Sequence, residues 1–192
     1  MAGIFGIYYQ QKRNFSHEWL NKIINSLGAE RESKREYKVY NNYAYGICLP
    51  ISSKANSAII SKNDINIDCI IEGNIFLDSK IKQQLINRYN LLSNLKDSEY
   101  IPYLYHSQKE KTPLYITGWY NIFIMDKKNQ KGLLFNSRLG ILPLFYYKKN
   151  GIFIFASKLE TILNTELSEF EFDNVTLTEY LLFHYPISDN TL

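Results

Sequence analysis

The sequence predicts an α+β fold, and three observations support this prediction. The apolar segments are grouped: one strand and one helix come first, then several strands, two helices and several more strands. The 16 Tyr and 11 Phe favour half-buried extended strands. The length of 192 residues suits one domain with a single sizeable core. Because strands and helices are grouped rather than alternating, a parallel doubly wound sheet is not expected.

The first part of the chain predicts a strand, a helix and then a set of strands. Residues 4–9 form an apolar run typical of a buried strand. Ser16 is a suitable helix N-cap and Gly28 a natural stop, and between them apolar residues recur at helical spacing: Trp19, Leu20, Ile23, Ile24 and Leu27. The charged residues 29–36 predict a loop. Strands are expected over residues 37–76, with turns at 41–42, 52–53 and 63–64.

Two further helices are predicted in the middle of the chain. Asp78 can cap the first, which carries Ile81, Leu85 and Ile86. Asp97 and Ser98 can open the second, whose apolar positions are Ile101, Leu104 and Tyr105.

The segment that continues to residue 156 is predicted to be a meander of strands. These strands are expected at residues 119–125, 133–135, 144–147 and 152–155. Asn150 and Gly151 separate the last two apolar runs, and Asn-Gly in that position predicts a type I′ hairpin. Short helices are expected after it.

Composition and spacing exclude several classes of function. The net charge of +3 is spread over Lys-rich turns, so no nucleic-acid interface is expected. No apolar run is long enough to span a membrane and no signal peptide is visible, so the expected compartment is the cytoplasm. The three His have no metal-ligand spacing, and no metal site is predicted. No Gly-rich phosphate loop is present, so no cofactor is expected to bind this chain.

The two cysteines, Cys48 and Cys69, both lie in apolar runs. This placement favours buried free thiols that act as small hydrophobic side chains. A disulfide, or a thiol that serves as a nucleophile, remains the alternative.

Several segments in order resemble the asparagine-synthetase-like class II glutamine amidotransferases. Residues 1–6 read Met-Ala-Gly-Ile-Phe-Gly where that family begins Met-Cys-Gly-Ile-Phe-Gly. Residues 72–76 occupy the place of its Asn-Gly-Glu-Ile-Tyr, and residues 118–123 resemble Gly-Met-Phe-Ala-Phe. The most specific segment is residues 138–146, Arg-Leu-Gly-Ile-Leu-Pro-Leu-Phe-Tyr, similar to Arg-Leu-Gly-Ile-Lys-Pro-Leu-Tyr-Tyr; it is followed by Phe-Ala-Ser at 155–157.

We expect Arg138 to have a structural role, as a buried salt bridge or a backbone donor.

The resemblance implies the N-terminal-nucleophile fold, a four-layer αββα sandwich of two antiparallel sheets between helical layers. It also implies two regions. Residues 1–175 would form the glutamine amidotransferase domain. Residues 176–192 would begin the connection to a C-terminal synthetase domain. That synthetase domain, in cis or in trans, is the expected partner, and ATP and Mg²⁺ are implied for it alone.

The residues in the implied active site differ from those of the family. The nucleophilic Cys exposed by methionine removal is replaced by Ala2, whose methyl group cannot attack a carbonyl, so no catalytic residue is predicted. The oxyanion-hole Asn is replaced by Glu72, whose carboxylate would repel the oxyanion, although Gly73 keeps its N–H. The Glu that holds the substrate ammonium is replaced by Asn74, and Asp97 is the remaining ammonium partner or a helix N-cap.

The substrate carboxylate would also lack its partner, because the strand expected to supply an Arg, residues 45–50, contains no cation. The leading hypothesis is therefore a degenerate glutaminase domain, structural for an ATP-dependent amide-forming partner. The alternatives are a free-standing module that binds a cationic or amine ligand at Glu72 and Asp97, and an active domain with a Cys-to-Ala trap at Ala2.

Overall fold

The computed structural model describes residues 3–12, 14–28, 33–50, 57–167, 173–185 and 187. The strands are β1 (Gly3–Tyr9), β2 (Ser33–Val39), β3 (Tyr43–Pro50), β4 (Ala58–Lys62), β5 (Ile67–Leu77), β6 (Ile116–Asp126), β7 (Lys131–Asn136), β8 (Phe145–Lys149) and β9 (Ile152–Ala156). The helices are α1 (His17–Leu27), α2 (Ser79–Tyr89), α3 (Asp97–Gln108), α4 (Leu159–Leu163) and α5 (Asn174–Phe183), with a 3₁₀ helix at Lys109–Tyr115.

The strands form two antiparallel sheets. The first has the order β2-β3-β1-β9-β8 and the second the order β4-β5-β6-β7. The predicted α+β class and the paired antiparallel sheets are therefore confirmed. One detail is wrong: residues 116–156 are not a continuous meander, because β6 and β7 belong to the second sheet and β8 and β9 to the first. Residues 137–144 carry the chain from one sheet to the other.

Helices cover the outer faces of both sheets and give the four layers. Leu20, Ile23, Ile24 and Leu27 of α1 pack on the first sheet beside Phe5 and Ile7. The buried residues of α2 and α3 pack on the second sheet: Leu85, Tyr100, Ile101, Leu104 and Tyr105. Between the sheets lies a third cluster of buried side chains: Ile4, Tyr45, Ile47, Ile70 and Phe155.

Local signals in the sequence placed the helices correctly. Ser16 Oγ accepts from Trp19 N at 3.1 Å, and Asp78 Oδ1 accepts from Lys80 N at 2.8 Å, so both predicted N-caps are confirmed. At α3 the N-cap is Lys96, one residue before the predicted start, and Glu99 accepts from its N–H at 3.0 Å. The type I′ prediction agrees with positive φ at Asn150 and Gly151, 52° and 74°.

The sequence predicted a loop over the charged residues 29–36, and this prediction is wrong for the second half of the segment. Residues 29–32 lie outside the described residues, but Ser33 begins β2, the edge strand that pairs with β3. An edge strand faces solvent along one side, so its charged side chains need no burial and discourage pairing with other chains. The predicted turn at residues 52–53 also lies outside the described residues.

The thiols of Cys48 and Cys69 are free and buried, as predicted. Within the described ranges, no helix is both long and apolar enough to cross a bilayer. Helix α5 begins at Asn174, so the predicted boundary between residues 175 and 176 falls in its first turn.

Candidate functional site

Glu72 lies at the centre of a buried polar cluster that joins the two sheets. Its Oε2 accepts from Asn121 Nδ2 at 2.9 Å, within the second sheet, and from Ser157 Oγ at 2.5 Å. Ser157 directly follows β9 of the first sheet. Ser157 Oγ in turn accepts from Ile4 N at 3.0 Å. The cluster therefore lies beside the start of β1, two residues from Ala2. Ala2 itself lies outside the described residues.

The register of the sheets explains why these side chains meet. Glu72 on β5 lies opposite Asn121 on β6, so both side chains point to the same face of the second sheet. Asp68, Ile70 and Glu72 alternate with residues that face α3, and therefore face the gap between the sheets. The amide of Asn121 also donates to Pro143 O at 3.0 Å, which ties the segment between β7 and β8 to the cluster.

The Glu72 carboxyl is 4% exposed, and within the described ranges no Lys or Arg pairs with it. Burial raises its pKa, although the hydrogen bonds from Ser157 and Asn121 act in the opposite direction. Because the charged form is disfavoured in the folded chain, the contribution of this group to folding is fully present below the unfolded pKa of about 4.3. It is lost as the pH rises through the folded pKa.

Glu72→Gln is therefore expected to stabilise the protein at pH 8, by about 1 kcal/mol or more, with little effect at pH 4. The amide oxygen of Gln can accept the same two hydrogen bonds without a buried charge. Urea unfolding at both pH values measures the difference. The exposed Glu160→Gln is the control and should change neither value. A destabilised Glu72→Gln at pH 8 would contradict this assignment of the buried charge.

Gly73, the residue that keeps the predicted oxyanion-hole N–H, donates that N–H to Ser57 Oγ at 2.9 Å. Its φ is +97°, a conformation that favours glycine, and an added Cβ would lie 2.1 Å from Trp119 O. The close approach of β5 and β6 thus fixes the position of the Gly73 N–H. Its hydrogen-bond acceptor is the Ser57 side chain of the same chain.

The other two predicted site residues lie further along the chain. Asn74 is half-buried and lies opposite Trp119 in the register. Asp97 is the first residue of α3 rather than its N-cap: its Oδ2 accepts from Leu77 N at 2.8 Å and its Oδ1 pairs with Lys82 Nζ at 2.7 Å. Leu77 is five residues beyond Glu72, about 16 Å along an extended strand. The structure therefore groups Glu72 with Gly73 and places the Asp97 carboxylate with α2 and the end of β5.

Neither thiol faces the polar cluster. Cys48 pairs in register with Gly3 but its side chain packs in the layer of α1, and Cys69 packs in the layer of α3. Burial raises the pKa of the Cys69 thiol well above its usual value, which opposes formation of the nucleophilic thiolate.

Arg138 does not have the buried role expected from the sequence. Its side chain is exposed, and it makes no ion pair with the described residues. The turn that contains it is closed by Gly140 N donating to Ser137 O at 2.9 Å, with Gly140 at a φ of +58°. The glycine, rather than the arginine, is the residue that this turn requires.

Sequence reasoning missed the three polar partners Ser57, Asn121 and Ser157. Asn121 carried a usable signal, since it interrupts the apolar run of β6 on the face that packs inside the sandwich. Ser57 and Ser157 are short hydroxyl side chains just outside strands. Ser157 lies in the Phe-Ala-Ser segment of the family resemblance, but nothing in the local sequence of either serine indicates a buried hydrogen-bond partner.

Comparison with known proteins agrees with this architecture. The profile of the glutamine amidotransferase domain matches residues 1–192. "Asparagine synthetase [glutamine-hydrolyzing] 2" of Bacillus subtilis (strain 168) is 31% identical over 166 residues, covering 85% of this chain and 22% of the relative. "Putative asparagine synthetase [glutamine-hydrolyzing] 2" of Methanocaldococcus jannaschii is 30% identical over 187 residues, covering 85% of this chain and 35% of the relative.

Two solved structures show the same fold at low identity. Glutamine phosphoribosylpyrophosphate amidotransferase from B. subtilis, complexed with ADP and GMP, superimposes with a TM-score of 0.55 at 16% identity over 85% of this chain and 43% of that one. A structure described as the allosteric regulatory enzyme of purine biosynthesis gives 0.61 at 15% identity, with the same coverage. The predicted N-terminal-nucleophile fold is confirmed, and the chain belongs to the glutamine amidotransferase domain family, with asparagine synthetases among its relatives.

Proposed function

We propose that this chain is a glutamine amidotransferase domain that does not hydrolyse glutamine. Its role is structural, as one domain of an ATP-dependent amide-forming enzyme of the asparagine synthetase type. One observation carries this proposal: the polar groups at three positions that the resemblance assigns to glutamine binding are engaged inside the chain. Glu72 bonds to Asn121 and Ser157, Gly73 N–H bonds to Ser57, and Asp97 bonds to Leu77 N–H and Lys82.

The change at Glu72 is accompanied by a matching change on the neighbouring strand. The family motif that residues 118–123 resemble has Ala at the position of Asn121. In this chain the Asn121 amide donates to the Glu72 carboxylate directly opposite. A carboxylate in this buried place would be costly without such a donor. The pair therefore supports a site whose polar groups satisfy one another between the sheets, and a single Cys-to-Ala change in an intact site would not explain it.

A partner domain is supported by the exposed apolar side chains of α5 and the residues after it. Leu181 and Leu182 are 69% and 68% exposed, and other large apolar side chains there are also exposed: Val175, Tyr180, Phe183, Tyr185 and Ile187. Clustered apolar side chains on a surface mark interaction sites. The chain also spans only 22% and 35% of the length of the two asparagine synthetase relatives. We infer that the synthetase domain covers this helix.

ATP and Mg²⁺ would be bound by that partner domain, since the sequence of this chain has no Gly-rich phosphate loop. The proposed compartment for the assembled enzyme is the cytoplasm. In this arrangement the amine for amide formation comes from the substrate itself or from free ammonia, because the domain supplies none.

Purified protein is expected to release no ammonia from glutamine above the uncatalysed rate. The loss of a nucleophile costs hydrolases a factor on the order of 10⁶, and Glu72 would further oppose an oxyanion. A coupled dehydrogenase assay measures ammonia, and the protein named asparagine synthetase [glutamine-hydrolyzing] 2 of B. subtilis is the positive control. Turnover similar to that relative would contradict the proposal.

Ala2→Cys tests the trap alternative in the same assay. Since catalytic groups act as a unit, returning the thiol alone should leave hydrolysis within about tenfold of background. Brisk hydrolysis by this variant would mean that the rest of the site is competent. The sequence encoded after Leu192 tests the partner: a Ser-Gly-Gly-x-Asp-Ser loop supports a synthetase domain in cis.

A further inference from the structure

The two sheets pack closely at one end of the sandwich and separate at the other. Near the start of β1 the side chains between the sheets are fully buried: Ile4, Ile47 and Ile70 are each 0% exposed. Toward the end of β1 a cleft of about 590 Å³ opens between the sheets. Tyr8, which lines it, is four residues beyond Ile4, about 13 Å along the strand. The cleft is therefore separate from the Glu72 cluster.

Aromatic rings that face the gap between the sheets remain partly exposed in this cleft. Phe123, Phe153 and Tyr43 are half-buried although they pack against the inter-sheet cluster, and Tyr8 is 39% exposed. The rings form a continuous wall, because Phe123 lies 5.9 Å from Tyr45 and 4.9 Å from Phe155, centroid to centroid. A volume of this size, with apolar walls, lies within the range of small-molecule sites in proteins.

The charged side chains that line the cleft are both positive, Lys131 and Lys148. Lys148 makes no hydrogen bond or ion pair with the described residues, and neither does the Gln130 amide. Lys131, the other cation, pairs with Glu110. No Asp or Glu lines the cleft in the part of the chain that the structure describes. The buried acid nearest the Tyr45 ring is Asp68, which is satisfied by the hydroxyls of Tyr40 and Tyr45 and by Lys127.

We propose that this cleft binds a small amphipathic carboxylate, whose apolar body lies against the aromatic wall and whose anionic group pairs with Lys148. The apolar body covers ring surface that the sandwich leaves open, which is the main source of binding free energy. The unpaired ammonium sets the charge of the ligand, and Gln130 adds a hydrogen-bond donor. This inference does not depend on whether the chain hydrolyses glutamine, since the two sites share no residue.

Titration calorimetry with octanoate, 4-phenylbutyrate and octylamine on the whole protein tests the proposal. The two acids share the proposed chemistry, and their relative affinities distinguish an alkyl from an aryl body. We expect saturable binding of at least one acid with a Kd on the order of 1 mM or lower. Octylamine should bind at least about fivefold more weakly than octanoate. Equal binding of amine and acid, or no saturable binding of either acid, would overturn the proposal.

Three variants locate the binding. Lys148→Glu should weaken binding of the better acid by about tenfold, because it replaces one attractive pair by a repulsive one. Lys80→Glu, on the exposed start of α2, makes the same change in net charge away from the cleft and should have no effect. Leu134→Trp should weaken binding by occupying part of the cleft beside the aromatic wall, with circular dichroism to check folding. Because Lys148 is an exposed side chain, the result for Lys148→Glu stands even if Leu134→Trp fails to fold. Equal weakening by Lys148→Glu and Lys80→Glu would overturn the proposal.

Discussion

Asp68→Asn is expected to lower the free energy of unfolding by about 3–5 kcal/mol at pH 7, because it removes the anion from a buried pair. The Asp68 side chain is fully buried, and Lys127 Nζ lies 3.0 Å from its Oδ1. Tyr40 donates to Oδ2 at 2.6 Å, and Tyr45 donates to the same atom. These contacts join β5 of the second sheet to β3 and to the residue after β2 in the first, so the loss affects both sheets.

The effect of Asp68→Asn should depend on pH in a defined direction. Burial opposes the charge on Asp68, but the hydrogen bonds from Tyr40, Tyr45 and Lys127 outweigh it and lower the pKa of the carboxyl. Its contribution to folding is thus present above the unfolded pKa of about 3.9 and is lost as the pH falls through the folded pKa. The difference between wild type and variant should shrink below about pH 4, as it should for Glu72→Gln. The sign of the two differences is opposite, because the charged form is favoured by folding at Asp68 and disfavoured at Glu72.

The free energy of unfolding of Asp68→Asn is compared, by urea unfolding, with those of two tyrosine variants. Tyr45→Phe removes one donor and should cost about 1–3 kcal/mol, since Asp68 keeps its other partners. Tyr146→Phe, at a residue that is 70% exposed, should stay within about 0.5 kcal/mol of wild type. An Asp68→Asn protein as stable as Tyr146→Phe would show that the buried pair contributes little.

Gly73→Ala is the second substitution with a large expected effect, a loss of about 4 kcal/mol. A residue with a side chain at a φ of +97° costs about 1–3 kcal/mol, and forcing apart the backbones of β5 and β6 costs a similar amount. The added Cβ would lie 2.1 Å from Trp119 O, which is a backbone atom in the middle of a sheet and cannot turn aside.

Gly140→Ala separates the two contributions to that loss. Gly140 also has positive φ, +58°, but an added Cβ would meet only Asn136 Nδ2, at 3.7 Å. This variant should show the strain alone, about 1–2 kcal/mol. Chemical denaturation of both variants measures the difference. Equal losses would contradict the assigned contact between the strands at Gly73.

The α+β class and most elements could be predicted from the sequence because their signals are local. The N-caps at Ser16 and Asp78 and the Asn150-Gly151 hairpin each depend on residues within about four positions of one another. The family could also be predicted, since its motifs at residues 72–76 and 138–146 are short and ordered. The prediction failed at the start of β2, where the charged side chains indicated a loop. An edge strand tolerates polar side chains that also suit a loop, so the local sequence could not reveal the pairing with β3.

The sequence alone determined which groups are present at the candidate site, and the tertiary structure decided what those groups contact. Ala2 and the absence of a cation in residues 45–50 are visible without a structure. The partners of Glu72 lie 49 and 85 residues away, and the exposure of Arg138 depends on how residues 137–144 cross between the sheets. The opening between the sheets near Tyr8 is likewise invisible in the sequence, because the spacing of two sheets depends on how all their facing side chains pack together.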